Sequence, residues 1–588
     1  MRKNQEAFKL DKITLKQYLR VYSGVRIPWL FLVLIIVFQL VYTRFSVHVT
    51  NFTGDLVDAS GNLPMDQLVT YAVTALLTGI LACGSGFFVN LSSIAINRVV
   101  RQKLYGKLLY VPQSVYDENG AERLISAVTN DCENASYLFT QPISIVSTMV
   151  IFVIYVREMF GINSKLALWL LLVIPSATLL TWGVTKLRAK VIQKTQVMLA
   201  NTTRYMVERT RNILLVKSCC AENMESSEAE AYFQSQYDAE METGMVDVLW
   251  TVVSNIITLA GQLIPFAAGS IMVAKGTITV GDVVMMYTYG QIISIHYLNI
   301  CNLFSVVIQS ANGLTRVNRA LEYPEEDLEE GVPVNDADGD ICFENVDFSY
   351  GEKAVLKNIA CTIPRGKVTV VIGPNGAGKS TLFKLVKRLY EPKCGTMLFG
   401  THDAKKYNLQ DWRRSIGIVA QDCPLIAGTI RENILYGCRR SVQEDELIQV
   451  AKKARVYDFV KELPNGFDTV IAPNGSNFSG GQQHCIAIAR AMMSSPDYLL
   501  LDEATSNLDS SSEKAVTEAL SELMEGRTTI VIAHTLNAIR NADYVIALRD
   551  GEIENAGAPE EILRVTDNYL SRMIHRGACK KNIGGVSL

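Results

Sequence analysis

Six apolar stretches break up the first 310 residues, at about 27–45, 67–96, 137–157, 164–185, 247–273 and 281–309. A helix needs about 20 mostly apolar residues to cross the hydrocarbon of a bilayer. In that solvent a spanning segment must satisfy its own backbone hydrogen bonds. The first half of the chain is therefore expected to be an all-α bundle of six transmembrane helices. A short turn around Gly161-Ile162-Asn163 separates the third and fourth, and Lys275-Gly276-Thr277 separates the fifth and sixth.

Charge sets the orientation. Lysine and arginine collect in three segments: Arg2, Lys3, Lys9, Lys12, Lys16, Arg20 and Arg26 before the first stretch; five between 97 and 136; and eight between 186 and 246. The remaining connections carry only Arg44, Arg157, Lys165 and Lys275. Positive loops stay inside, so the N-terminus and both long loops are expected in the cytosol. The long loops keep helical periodicity and read as extensions of the spans. Residues 1–26 place Leu15, Tyr18, Leu19 and Tyr22 at helical spacing, which predicts an amphipathic helix on the membrane surface and not a signal peptide.

Ionisable side chains are nearly absent from the middle of the six stretches, which argues against proton coupling. Uncharged polar residues do align. Tyr287, Gln291, Ser294, Asn302, Ser305 and Gln309 fall in one stripe at helical period on the sixth. Such a stripe suits a solute pathway, and it equally suits hydrogen bonds between helices. The net charge of −3 offers no basic surface for nucleic acid. The twelve cysteines form no CxxC pair and are expected as reduced thiols, not as a zinc site or a disulfide frame.

Beyond residue 340 the pattern changes to short apolar strands between charged helices, as in an α/β domain. Here Gly373-Pro374-Asn375-Gly376-Ala377-Gly378-Lys379-Ser380 follows an apolar strand at 367–372 and precedes a helical run that opens with Thr381. It fits the G-x-x-x-x-G-K-[ST] loop in the context that loop requires. Glycines let backbone N–H groups cradle phosphate oxygens, Lys379 supplies a point charge, and Ser380 a hydroxyl for Mg2+. ATP and Mg2+ are the expected cofactors. A second strand at 498–501 ends in Asp502-Glu503, with Asp502 suited to hold Mg2+ and Glu503 to polarise the attacking water as general base. A third, at 528–533, ends at His534, suited to sense the γ-phosphate. Phe478-Ser479-Gly480-Gly481-Gln482 opens a helix whose N-terminus is a second anion site. One subunit has no evident use for two, so this one is expected to serve ATP on a neighbour.

These motifs resemble, in order, those of the ATP-binding cassette (ABC) transporters. Phe478–Gln482 resembles the family's LSGGQ signature, with Phe for Leu. The resemblance implies that Tyr350 stacks on adenine, that Gln421 is the glutamine coupling ATP to the membrane region and reaching Mg2+, and that Asp509 in Ser506-Asn507-Leu508-Asp509 contacts the partner. His534 matches the family's switch histidine. Six spans before the ATPase domain resemble the exporter type, whose halves work in pairs, identical or not. Tyr116-Asp117-Glu118-Asn119-Gly120 with Thr129-Asn130-Asp131 resembles the first coupling region, and the second is expected near 207–216. One departure stands out: exporters carry a glutamate and a glycine before the signature, where this chain reads Thr469-Val470-Ile471-Ala472-Pro473-Asn474.

The expected organisation is an interfacial helix at 1–26, a transmembrane domain at 27–320, a linker at 321–340, the ATPase domain at 341–578 and a tail at 579–588. The expected function is ATP-driven export of an amphipathic small molecule, lipid or peptide. The compact form suits a bacterial cytoplasmic membrane. An importer built on the exporter fold is the alternative within transport. A soluble ABC ATPase conflicts with six spans, and an ATP-gated channel would want charged rings.

Overall fold

The computed structural model describes residues 15–59, 65–334, 339–502, 510–533 and 536–564. The N-terminal part of the expected interfacial helix, part of the linker and the tail lie outside these residues. Two compact units emerge, one drawn from Met1–Tyr110 and Asn119–Tyr323, the other from Val111–Glu118 and Pro324–Leu588.

The first unit is helical throughout. It contains α1 (Leu15–Tyr22), α2 (Trp29–Asp58), α3 (Met65–Leu108), α5 (Ala121–Ser126), α6 (Cys132–Ile162), α7 (Ser164–Leu171), α8 (Val173–Arg211), α9 (Ile213–Ser218), α10 (Glu222–Ala274) and α11 (Val280–Glu322), with α4 (Gln113–Asn119) belonging almost wholly to the second unit. Five of the six apolar stretches fall essentially within one helix each, and the fourth is divided between α7 and α8. Among the described residues, five helical segments meet the length and apolarity for crossing a bilayer. The sixth stretch is carried by α11, 43 residues long.

Local chemistry explains the short turns. Asn163 caps α7, its side chain accepting from the Lys165 and Leu166 amides, each at 3.1 Å. Thr279 opens α11 with a capping box closed by Asp282. The fourth stretch, expected as one helix, is interrupted at Leu172. Pro175 follows in the first turn of α8, where its missing N–H removes the hydrogen bond back toward α7. Between α5 and α6 the chain widens into a π turn, Ala127–Asp131.

Small residues bring α11 against its neighbours. A Cβ on Gly290 would stand 2.0 Å from the Gly261 carbonyl oxygen of α10. One on Gly281 would stand 2.3 Å from the Gly54 carbonyl of α2. Membrane helices pack closely through such positions because lipid offers no hydrophobic drive for association.

The second unit is α/β. A four-stranded antiparallel sheet runs in the order β2-β1-β4-β5, from β1 (Ile341–Tyr350), β2 (Lys353–Ile363), β4 (Cys394–Phe399) and β5 (His402–Asp403). A six-stranded sheet runs β12-β11-β3-β10-β9-β6, from β3 (Val368–Ile372), β6 (Ile416–Val419), β9 (Tyr498–Asp502), β10 (Thr528–Ile532), β11 (Tyr544–Arg549) and β12 (Glu552–Gly557). All its neighbours are parallel except β11 with β12. The parallel strands are covered on both faces, which is why Val370–Ile372 and Tyr498–Leu501 read as apolar runs. The helices α12 (Lys379–Val386) and α17 (Gly480–Ser494) bury apolar faces in this unit. The described cysteines are all free thiols. Burial pushes Cys423 and Cys485 up to about 12, so both stay protonated at neutral pH.

Candidate nucleotide-binding site

The parallel register brings the sequence-predicted residues to one edge. Val371 of β3 pairs with Ile532 of β10, which pairs with Asp502 at the end of β9. Leu501 pairs with Val419, two residues before Gln421. The carboxyl ends of β3, β9 and β6 therefore present the phosphate loop, Asp502 and Gln421 along one edge, with β10 between the first two, where ligands bind to open α/β sheets. Glu503, Asp509 and His534 lie outside the described residues, and β9 and β10 end just before Glu503 and His534.

The loop between β3 and α12 needs its glycines. Gly373, Gly376 and Gly378 have φ of +154°, +86° and +104°. A Cβ would stand 2.3 Å from the Leu548 carbonyl oxygen at Gly373, and 2.5 Å from the Leu356 side chain at Gly378. Lys379 is 7% exposed, and its ammonium donates to the carbonyls of Gly373 at 2.9 Å and Pro374 at 3.2 Å, inside the curl of its own loop. Asn375, Gly376 and Ser380 are exposed at the rim, while Ala377 and Thr381 are buried. A backbone curl of this shape, centred on a cation and opening a helix, fits a chain of phosphates.

Tyr350 ends β1 beside this loop, its hydroxyl 3.5 Å from Thr381 Oγ1. On α17, Ser479 is the N-cap. Its hydroxyl accepts from the Gln482 amide at 3.3 Å, and its amide donates to the Gln482 side chain at 2.9 Å. Phe478 is half-buried against the core that α17 shares, its ring 6.1 Å from that of Phe459 on the short helix Tyr457–Val460, so an aromatic in place of leucine is accommodated. A Cβ on Gly481 would stand 2.5 Å from Ser512 Cβ, so α17 meets the following helix through that glycine. The departure at 469–474 forms a short strand and a 3-10 turn, Pro473–Gly475. Asn477 staples it, accepting from the Ala472 amide and donating to the Val470 carbonyl, each at 3.0 Å.

Residues 356–506 match the family described as "ABC transporter", and residues 29–295 match the "ABC transporter transmembrane region". An uncharacterized ABC transporter ATP-binding protein of Bacillus subtilis is 34% identical over 479 residues, 80% of this chain and 78% of that protein. An ATP-dependent lipid A-core flippase of Syntrophus aciditrophicus is 32% identical over 481 residues, again 80% and 78%. A multidrug resistance ABC transporter ATP-binding and permease protein of Lactococcus lactis is 28% identical over 574 residues, 96% of each chain. The chain belongs to the ABC transporters.

It is a half-transporter of exporter architecture: a helical membrane region fused to an ATP-binding domain whose hydrolysis drives transport, acting together with another half. The residues expected to line a solute pathway in this ABC transporter are unequally covered on α11. Tyr287 is 37% exposed, while Gln291 and Asn302 are half-buried. Ser294 is buried at the α10 crossing and donates to the Gly290 carbonyl at 2.8 Å. The side chains of Ser305 and Gln309 lie outside the described residues.

Sequence reasoning missed a cluster beside Tyr350. Its ring meets Tyr390 edge-on with centroids 5.3 Å apart, and Lys384 Nζ stands 5.3 Å from one ring centre and 5.5 Å from the other. The Tyr390 hydroxyl donates to Asp117 of α4, whose carboxylate is 3.9 Å from Lys384. Burial, and then the Asp117 carboxylate, hold the Tyr390 phenol above its usual pKa. The one signal available was the spacing of Lys384 four residues after Ser380, one helical turn along the same face.

Proposed function

We propose that two such halves, identical or sister chains, form an exporter that uses Mg·ATP to move an amphipathic small molecule, lipid or peptide out across a bacterial cytoplasmic membrane. The alignment of the phosphate loop, Asp502 and Gln421 on one sheet edge carries this reading. Lys379 and the loop amides would bind the triphosphate. Ser380, Asp502 and Gln421 would hold Mg2+, which supplies charge neutralisation on the phosphates when bound. Glu503 would take the proton of the attacking water and His534 would orient the γ-phosphate. Tyr350 would stack on the base. Ser479, Gly480 and Gly481, at the entrance of α17, would close the site of the opposite half, with Asp509 at the contact. The flippase and multidrug names of two relatives favour outward movement of lipid-like cargo over import.

ATPase activity of the purified protein in nanodiscs, screened against such cargoes, tests this. Hydrolysis stimulated by one class, with uptake into inside-out vesicles, is expected. No hydrolysis at all, or cargo moving only the other way, refutes it. Gln291→Ala and Asn302→Ala should change cargo stimulation at near-normal basal hydrolysis; equal loss of both assigns them to packing.

Tyr390→Ala should raise the KM for ATP about two- to tenfold at unchanged kcat, because an aromatic pair is worth about 0.5–1.5 kcal/mol beyond its buried area. Tyr390→Phe keeps the ring and should keep the KM. An unaltered KM in the alanine variant removes Tyr390 from the base site.

A further inference from the structure

We propose that the cleft between α5, the π turn and α11 binds a phosphate-bearing anion. The inference rests on the cytosolic placement of these segments in the reading above. The cleft has a volume of about 290 Å3 and opens to solvent. Its wall includes Arg123 on α5, Asn130 and Asp131 on the π turn, Arg316 and Arg319 on α11, and Tyr323 just past the end of α11.

The charges do not balance. Asp131 is buried and takes a bidentate fork from Arg316, with Nε–Oδ2 at 2.8 Å and Nη2–Oδ1 at 2.5 Å. That pair is neutral and ties the π turn to α11, which makes one wall rigid. Arg123 and Arg319 make no ion pair among the described residues. Three arginines against one aspartate leave two positive charges facing one concave space. Tyr323 is held in place by donating to Asn119 Oδ1 at 3.0 Å.

Cytosolic loops are basic in any membrane protein, but orientation requires only the charge. It does not require two unpaired guanidinium forks around a cavity. Concave, low-dielectric walls focus the field of such charges and raise the local concentration of anions. Planar guanidinium groups match phosphate oxygens in pairs. Basic pockets between membrane helices on the cytoplasmic side take anionic headgroups. Arg316 and Arg319 stand seven and ten residues past 309, where the sixth apolar stretch ends. At 1.5 Å per residue that is about 10–15 Å along α11. A lipid headgroup tipped inward and a soluble phosphate both reach this depth.

Two measurements on the full chain separate these sources. Native mass spectrometry counts phosphatidylglycerol and phosphatidylcholine retained after extraction. A thermal shift with inorganic pyrophosphate, in a Lys379→Ala background that disables the nucleotide loop, reads the soluble anion. At least one anion should bind the parent about tenfold better than it binds Arg123→Gln/Arg319→Gln. Retention of phosphatidylglycerol alone identifies the lipid source, and a pyrophosphate shift alone the soluble one. Binding to the parent should fall several-fold between about 0.05 and about 0.5 M salt. Equal binding by parent and double variant, or binding indifferent to salt, overturns the proposal. Basal ATPase activity of the double variant in the native Lys379 chain should match wild type, so failure of the anion site is told apart from failure of the transporter reading.

Discussion

Glu503→Gln is expected to lower ATP turnover by about 10²–10⁴, the usual worth of a positioned general base. Glu503 follows directly on Asp502, the last residue of β9, which pairs with β10, and the other neighbour of β10 is β3, the strand that leads into the phosphate loop. The amide keeps the size and hydrogen-bonding reach of the side chain but cannot take a proton. Nucleotide binding should survive, and the variant should accumulate as an ATP-bound dimer on size-exclusion chromatography. Lys379→Ala should behave differently, losing ATP affinity together with turnover, because its ammonium sits inside the loop that curls around it. Wild-type hydrolysis by Glu503→Gln refutes the assignment. Loss of ATP binding in that variant would instead make Glu503 part of the binding site.

The readable parts of this molecule are those written in consecutive residues. A phosphate loop requires glycines at fixed offsets because φ of +86° or +104° is closed to other side chains. A capping box requires Ser479 and Gln482 three apart. An apolar run of membrane length is visible without any knowledge of its neighbours. Even here local detail escaped, as at Leu172, where Pro175 splits a stretch that composition presents as one helix. The Tyr390–Asp117 contact joins residues 273 positions apart, and Arg316–Asp131 joins residues 185 apart. No pattern along the chain encodes such pairs, because nothing in the sequence around one partner points to the other. Ser294 shows the same limit from the other side. Period alone put it on a polar stripe with Tyr287 and Gln291, and only the approach of α10 decides that it is enclosed.

That approach leads to the second large effect, expected from Gly290→Leu. Gly261 and Gly290 face each other so closely that a Cβ on either would stand 2.7 Å or less from the other's carbonyl oxygen. The obstacle is backbone on both sides, which no rotamer change can relieve. A leucine must therefore drive α10 and α11 apart and break the contact that encloses Ser294. Overpacking a fitted site costs about 1–3 kcal/mol even where side chains can yield, and here the upper end or more is expected. Purified Gly290→Leu should elute as aggregate in detergent or melt many degrees below wild type. Gly290→Ala should show the same sign at smaller size. Gly106→Ala is the comparison: it also lies within a helix, nothing stands within 4 Å of its added Cβ, and it should gain about 0.5–1 kcal/mol from the better helix former. If Gly290→Leu and Gly106→Ala melt together, the close crossing is not what holds α11 in place. If they part as expected, the polar residues of α11 sort by position: Ser294 serves the helix crossing, and Tyr287 is left uncovered by it.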